Sequence, residues 1–194
     1  MSLREQIYSV LVVSSSEKFN QALPEVLPVT SFSPVNVVCS VSAAKRALSE
    51  RDFDFVIVNS PLPDENGVRF CSDTVDSYNT VVLFLSKLEE YEDAYDKLVS
   101  HGVFMLQKPL SKIVFQAASG WLISARERIR KTEKKTLSIE EKMNEIRTVN
   151  RAKWLLISEL KMTEPDAHRY IEKQSMDLCV SKKQVAEEII KTYS

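Results

Sequence analysis

Short apolar runs alternate with segments of helical spacing through the first part of the chain. The runs are rich in β-branched residues and cover residues 7–13, 35–39, 55–58, 81–85 and 103–106. Between them lie segments with helical spacing, such as residues 42–50 and 89–100. Apolar strands that alternate with helices are typical of a parallel sheet covered on both faces. Five repeats therefore predict a flavodoxin-like (βα)5 domain, a doubly wound α/β fold, over residues 1–118.

A long helix is predicted next, because residues 113–160 contain no proline and no obvious stop signal apart from Gly120. A heptad pattern fits positions Ala118, Leu122, Ala125, Ile129, Thr132, Thr136, Ile139, Met143, Ile146 and Asn150. Its flanks carry both signs of charge, as in coiled coils. Residues 119–150 are therefore predicted to form a homodimeric coiled coil. A solvated single helix, or a break near residues 136–138, is the alternative.

Two capping boxes divide the remaining residues, 151–194, into helices. Thr163 precedes Asp166 by three residues and Ser181 precedes Gln184 by three, which is the spacing of reciprocal N-terminal caps. We expect helices over residues 164–178 and 182–192, packed on the end of the long helix as a small three-helix module. The predicted apolar faces are Ala152, Leu155, Leu156 and Leu160; Ala167, Tyr170, Ile171 and Leu178; Val185, Ala186, Ile189 and Ile190.

Composition narrows the class of protein. Apolar residues make up 44% and charged residues 27% of the 194 positions, as in ordinary globular proteins. No apolar run approaches the roughly 20 residues of a membrane span, and the first ten residues lack the core of a signal peptide. The three cysteines and two histidines are scattered, without a CxxC pair. We therefore expect a cytoplasmic protein with no membrane partner, metal site or cofactor.

Charge is distributed unevenly between the two ends. Residues 1–120 carry 10 Lys or Arg against 15 Asp or Glu, a net charge of -5, whereas residues 121–194 carry 16 against 12, a net charge of +4. A basic C-terminal half favours a polyanionic partner, although +4 is also compatible with plain solubility.

Residues at the predicted strand ends resemble the receiver domain of two-component response regulators, over about residues 7–118. The matching positions are Leu62, Pro63 and Gly67, which follow Asn59 by three, four and eight residues, then Ser86, Lys108 and Pro109. In that family an aspartate at the position of Asn59 accepts a phosphoryl group, and an acidic pair follows the first strand. Here Asn59 is an amide, and Ser14, Ser15 and Ser16 replace the acidic pair.

These departures remove the expected chemistry. An acyl phosphate forms on a carboxylate, and magnesium prefers carboxylate ligands. We therefore predict a pseudo-receiver whose degenerate pocket comprises Ser14, Ser15, Asn59, Ser86 and Lys108, with a partner protein, a small ligand or constitutive pairing in place of phosphorylation. Asp54 or Asp64 is the alternative acceptor, although Asp54 precedes its strand and Asp64 lies in the following loop.

The C-terminal module resembles the ANTAR family of transcription antitermination regulators. The resemblance rests on Ala152-Lys153, Thr163-Glu164, Ala167, Tyr170, Ser175-Met176-Asp177 and Val185-Ala186. It implies binding of paired RNA hairpins with hexanucleotide loops in leader transcripts. The family often has a glycine and a methionine in its first helix, where this chain reads WLLISEL.

Single-stranded RNA loops expose their bases, and RNA phosphates attract cations. The candidate RNA contacts are therefore mainly cationic and aromatic side chains of the module. They are Lys153, Lys161, Arg169, Tyr170, Lys173, Ser175, Lys182 and Lys183. Tyr170 could equally be a core residue, and the lysines could simply be solvated. The rival functions are a protein-interaction adaptor of a two-component pathway with no RNA role and, less favoured, a DNA-binding transcription factor. No nucleophile, base and orienting group are spaced as in an enzyme, so no catalytic residue is predicted.

Overall fold

A computed structural model describes residues 6–193 of the chain. The chain divides into two compact units, residues 1–130 and residues 131–194. The predicted division into residues 1–118, 119–150 and 151–194 stays a prediction. No helix among the described residues is long and apolar enough to cross a membrane.

The first unit is built on a five-stranded parallel sheet, as predicted, in the order β2-β1-β3-β4-β5. Its strands are β1 (Tyr8–Val13), β2 (Phe32–Val38), β3 (Phe55–Asn59), β4 (Val81–Ser86) and β5 (Phe104–Gln107). The helices between them are α1 (Glu17–Val26), α2 (Val41–Glu50), α3 (Val68–Ser77) and α4 (Leu88–Val99). The strand β2 begins earlier than predicted and includes Pro34. It lies at the sheet edge, where a missing backbone donor is tolerated.

Alternate residues of each central strand enter two separate cores, one on each face of the sheet. On β1, Leu11 and Val13 face one core, whereas Val10 and Val12 face the other. The strands β3 and β4 divide in the same way. Burial on both faces explains why these strands read as continuous apolar runs.

The helix α5 (Lys112–Leu160) runs without a break through residues 136–138. Its first heptad positions have partners inside the chain. Ala118 and Leu122 are buried, and Ala125 and Ile129 pack against the core that contains Leu122. These four positions therefore cannot form the seam of a coiled coil. The later positions, from Thr132 to Asn150, keep that prediction.

The second unit contains the end of α5 together with α6 (Glu164–Asp177) and α7 (Lys182–Tyr193). Hydroxyl groups cap both short helices, because Thr163 Oγ1 accepts from the Asp166 amide and Ser181 Oγ from the Gln184 amide. Seven residues form the buried core: Ala152, Leu156, Ala167, Ile171, Val185, Ala186 and Ile189.

Three residues assigned to the apolar faces of this module are exposed instead: Leu160, Tyr170 and Leu178. On α6 the buried positions are Ala167 and Ile171, four residues apart. Tyr170 is rotated about 100° from Ile171 around the helix, which carries its ring out of the core.

Candidate functional site

The polar pocket of the first unit forms where the carboxyl ends of β1, β3, β4 and β5 meet. Asn59, the last residue of β3, is buried. Its Nδ2 donates to Ser14 Oγ at 3.0 Å, and its Oδ1 accepts from Lys108 Nζ at 2.9 Å. Both ends of the amide are therefore satisfied by neighbours within the fold.

The serines after β1 mainly accept hydrogen bonds from backbone amides. Ser14 Oγ accepts from the Ser16 amide at 3.2 Å, and Ser16 Oγ accepts from the Phe19 amide as the N-terminal cap of α1. Ser15 is exposed. Within residues 6–193, no group of three His, Cys, Asp or Glu side chains is placed to hold a metal ion. The neutral oxygens of this loop do not fit the magnesium ion that the receiver resemblance implies.

Ser86 ends β4 beside these residues. Its carbonyl oxygen accepts from the Lys108 amide at 2.8 Å. Its hydroxyl oxygen is buried and has no hydrogen-bond partner among the described residues. Ser86 thus contacts Lys108 through its backbone, but its side chain bonds to no other described member of the pocket.

Glu90, in the first turn of α4, supplies a carboxylate that the sequence did not lead us to predict. Its Oε2 accepts from Ser60 Oγ at 3.1 Å, and Lys108 Nζ donates to the Ser60 carbonyl oxygen. Burial lowers the pKa of Lys108, and the negative charge of Glu90 opposes that lowering. The signal available in the sequence was an acidic residue shortly after the fourth strand.

The two alternative acceptor carboxylates have other partners. Asp64 accepts from the Val41 and Ser42 amides at 3.0 and 2.9 Å, at the start of α2. The hydrogen bonds from these two amides lower the pKa of Asp64, and the bond from Ser42 has the larger effect. Asp54 precedes β3, at the end of the strand opposite to Asn59, and is bonded to Arg126 and Arg130. Neither carboxylate is positioned to replace Asn59.

The predicted RNA contacts of the second unit differ in how far their charges are already neutralised. Lys153 Nζ lies 2.7 Å from Glu164 Oε1, and Lys182 Nζ lies 2.5 Å from Glu172 Oε1. Lys183 forms a weaker surface pair at 3.9 Å with Glu187.

Arg169 and Lys173 lie four residues apart on α6 and are exposed. Within the described part of the chain neither forms an ion pair. Lys161 Nζ donates to the Ser158 carbonyl oxygen at the end of α5, and Ser175 Oγ donates to the Val180 carbonyl oxygen in the turn before α7. Tyr170 is exposed between the two free cations in sequence. Arg169 and Lys173 are therefore exposed predicted contacts whose charge is not neutralised within the described residues, and Tyr170 lies beside Arg169 in sequence.

Comparison with known proteins identifies the kind of domain in each unit. The model of the ANTAR domain matches residues 138–190. The transcriptional regulatory protein PdtaR of Mycobacterium tuberculosis is 27% identical over 140 residues, which are 72% of this chain and 68% of PdtaR. The chain combines a domain of receiver fold with a C-terminal ANTAR domain.

Solved structures show the receiver fold of the first unit. A signal receiver domain of an HD domain-containing protein from Pseudomonas fluorescens has a TM-score of 0.58 at 21% identity, covering 68% of this chain and 95% of that chain. A structure described as adenylate cyclase from Rhodopirellula baltica has a TM-score of 0.60 at 19% identity, covering 66% and 96%. A receiver domain protein from Clostridium thermocellum has a TM-score of 0.56 at 17% identity, covering 63% and 99%.

The ANTAR domain also exposes an aromatic residue to which no role was assigned from the sequence. Trp154 lies on α5 with 71% of its surface exposed, between core residues Ala152 and Leu156. It occupies the stretch in which the sequence departs from the ANTAR pattern. The predicted apolar face of this helix leaves Trp154 out, but the spacing of apolar residues gives an exposed tryptophan no role.

Proposed function

We propose that this protein is an RNA-binding transcription antitermination regulator that acts in the cytoplasm and is not an enzyme. The ANTAR match over residues 138–190 carries the proposal. ANTAR resemblance implies recognition of paired RNA hairpins with hexanucleotide loops. The cations on α6, Arg169 and Lys173, with exposed Tyr170, support it, since phosphates attract cations and loop bases stack on aromatic rings.

The test is a gel-shift titration with twin-hairpin RNA selected from a loop-randomised pool for binding to this protein. Loop-scrambled RNA and duplex DNA are the controls, each at two salt concentrations. Tight binding that requires the loop bases is expected. Failure to select any RNA would favour the adaptor function, and preference for duplex DNA would favour a DNA-binding factor.

The receiver domain is proposed to act without phosphorylation. Asn59 offers an amide to which both Ser14 and Lys108 are bonded, and Glu90 places a negative charge near Lys108. The pocket therefore lacks an acceptor carboxylate and the acidic pair for magnesium. A partner protein or a small ligand is the proposed input.

Incubation with an acyl phosphate donor and magnesium tests this assignment by intact-mass spectrometry. No phosphoprotein is expected. The Asn59→Asp variant restores an acceptor carboxylate, yet we expect little phosphorylation because the serines after β1 hold no metal. Stoichiometric phosphorylation of the wild-type chain would contradict the proposal.

Homodimerisation is proposed through the later part of α5. Ile139, Met143 and Ile146 follow heptad spacing and are 57%, 49% and 59% exposed. Three large apolar side chains on one stripe are typical of a coiled-coil seam, and Asn150 continues it. A second copy of the chain would cover the stripe.

Sedimentation equilibrium of Ile139→Asp and Ile146→Asp measures the contribution of the seam. Both changes should convert a dimer to monomer, because each places a charge in the seam. Leu137→Asp is the matched control, since Leu137 is equally exposed at 59% but lies one residue past a seam position. Dimers of unchanged stability in all three variants would refute the seam.

A further inference from the structure

We propose that Trp154, which follows Arg147 and Arg151 on the same side of α5, stacks on a base of a single-stranded RNA loop. The inference rests on the proposed RNA-binding function and names a contact outside the predicted set. Tryptophan has the largest apolar surface of any side chain, and folded proteins rarely leave most of it in water. Trp154 is 71% exposed in the described structure.

The neighbours of Trp154 form one stripe along the helix. Arg147, Arg151, Trp154, Ser158 and Lys161 succeed one another by four, three, four and three residues. A rotation of about 100° per residue places the first four on one side of α5, opposite the side that packs into the bundle, and Lys161 follows the end of the helix with φ 54°. The structure agrees, because Ala152 and Leu156 are buried and all five stripe residues are exposed.

The arginines of this stripe are available to an anion. Arg147 and Arg151 form no ion pair within residues 6–193, and no acidic residue stands three or four positions from either one. In contrast, Lys153 and Lys182 already have carboxylate partners at 2.7 and 2.5 Å. The stripe therefore presents two unpaired arginines on the N-terminal side of an exposed ring.

This combination favours a single-stranded nucleic acid over other partners. Aromatic rings between cations bind unpaired bases by stacking while the cations track the phosphates. A duplex hides its base faces. The exposed apolar side chains of the proposed dimer seam end at Ile146, and the stripe neighbours of Trp154 are arginines and a serine, whereas protein interfaces have a hydrophobic centre. Charge complementarity and the exposed ring together select loop bases of RNA.

Fluorescence gives a direct test, because the chain contains two tryptophans. The Trp121→Phe variant leaves Trp154 as the sole tryptophan. Titration with the selected twin-hairpin RNA should quench its emission, whereas the same stems closed into a continuous duplex should not. Unchanged Trp154 emission at saturating, loop-dependent binding would overturn the assignment.

Variants measure the size of the contact. Trp154→Ala should weaken binding of the selected RNA about 5- to 150-fold, the range for one stacked base, and Trp154→Phe should retain most of the affinity. Arg151→Gln should lower the slope of log affinity against log salt by about one. Trp121→Ala is the matched control. Trp121 is another exposed tryptophan of α5, in the receiver domain, so its removal should leave RNA affinity unchanged.

The outcomes separate this inference from the proposed function. If the wild-type protein selects no RNA from the pool, the proposed function fails and this inference fails with it. If the wild type binds RNA and Trp154→Ala binds equally well, only the stacking assignment fails. Sedimentation of Trp154→Ala supplies the remaining check, since conversion to monomer would show that Trp154 serves a protein interface and would also overturn the assignment.

Discussion

Removing the Asp54 carboxylate should destabilise the receiver domain by about 3 kcal/mol. Asp54 Oδ1 accepts from Arg126 Nε and Arg130 Nη2, both at 2.9 Å, and Oδ2 accepts from the Ser9 amide at 2.9 Å. The side chains of Asp54, Arg126 and Arg130 are 11%, 12% and 21% exposed. The cluster of Asp54, Arg126 and Arg130 therefore links α5 to the amino-terminal ends of β1 and β3.

The expected loss of stability is large because Arg126 and Arg130 both bond to the carboxylate of Asp54. Breaking a buried ion pair by removing one partner costs about 3–5 kcal/mol, because a buried charge stays behind. The lower end applies here, since Arg130 keeps Glu127 at 3.2 Å and is partly exposed. Asp73→Asn is the matched control. Asp73 pairs with Arg69 at 3.7 Å with side chains 57% and 89% exposed, so its loss should cost less than about 1 kcal/mol.

Hydrogen–deuterium exchange of the β1 and β3 amides measures this domain separately from the ANTAR domain. In Asp54→Asn, the slowest of these amides should exchange about 150-fold faster, equivalent to about 3 kcal/mol. Exchange less than fivefold faster, or equal to that of Asp73→Asn, would refute the assignment of the cluster.

The pH dependence provides a second check on Asp54. Burial raises its pKa, but the Ser9 hydrogen bond and the two arginines outweigh burial and lower the pKa below 3.8. Because the folded-state pKa is depressed, the stabilisation is fully present above the ordinary value and is lost as pH falls through the folded value. The difference between wild type and Asp54→Asn should accordingly be constant near neutral pH and shrink in acid.

Three further measurements test individual side chains. Burial strongly raises the pKa of the Cys71 thiol, so a thiol reagent should label two of the three cysteines in the native protein and all three in denaturant. Burial is the main reason that the pKa of Tyr8 is raised to about 12, and a hydrogen bond to Glu127 contributes to the rise. Tyr8 should therefore be the last tyrosine to ionise in an absorbance titration, and its contribution to stability should hold below pH 10.0 and fall above it. Gly67→Ala should destabilise the domain by at least about 1 kcal/mol, because Gly67 has φ +80° and an added Cβ would lie 3.0 Å from Val58 Cγ1. Gly120→Ala, inside α5 with open space around it, should instead stabilise the domain by up to about 1 kcal/mol. A denaturant titration measures the free energy of unfolding of both variants.

The fold was predictable because its pattern is local. Runs such as residues 55–58 and 81–85 are apolar on both faces, and the capping pairs at Thr163 and Ser181 mark helix starts within a few residues. Each signal depends on neighbours along the chain. The order of strands then follows from the doubly wound pattern.

The site was only partly predictable, because its partners come from distant segments. The bonds of Asn59 to Ser14 and Lys108 follow from strand ends that meet at one edge of the sheet. Glu90 was missed because nothing local indicates that its carboxylate turns back toward Ser60. Trp154 was left out of the predicted apolar face, but it was not predicted as a contact because the candidate contacts were chosen mainly for their positive charge.

Glu90 gives the degenerate pocket a physical explanation. Lys108 is partly buried beside an amide, and an unpaired buried cation is costly. The resemblance implies a carboxylate at the position of Asn59, and the structure instead places one on α4, where Glu90 accepts from Ser60 while Lys108 donates to the carbonyl of that same residue. The negative charge therefore lies on α4 and not at the position of Asn59, and it ties α4 to the loop after β3. In this arrangement the side chains of the pocket bond to one another, which supports the proposal that the input acts by some chemistry other than phosphoryl transfer.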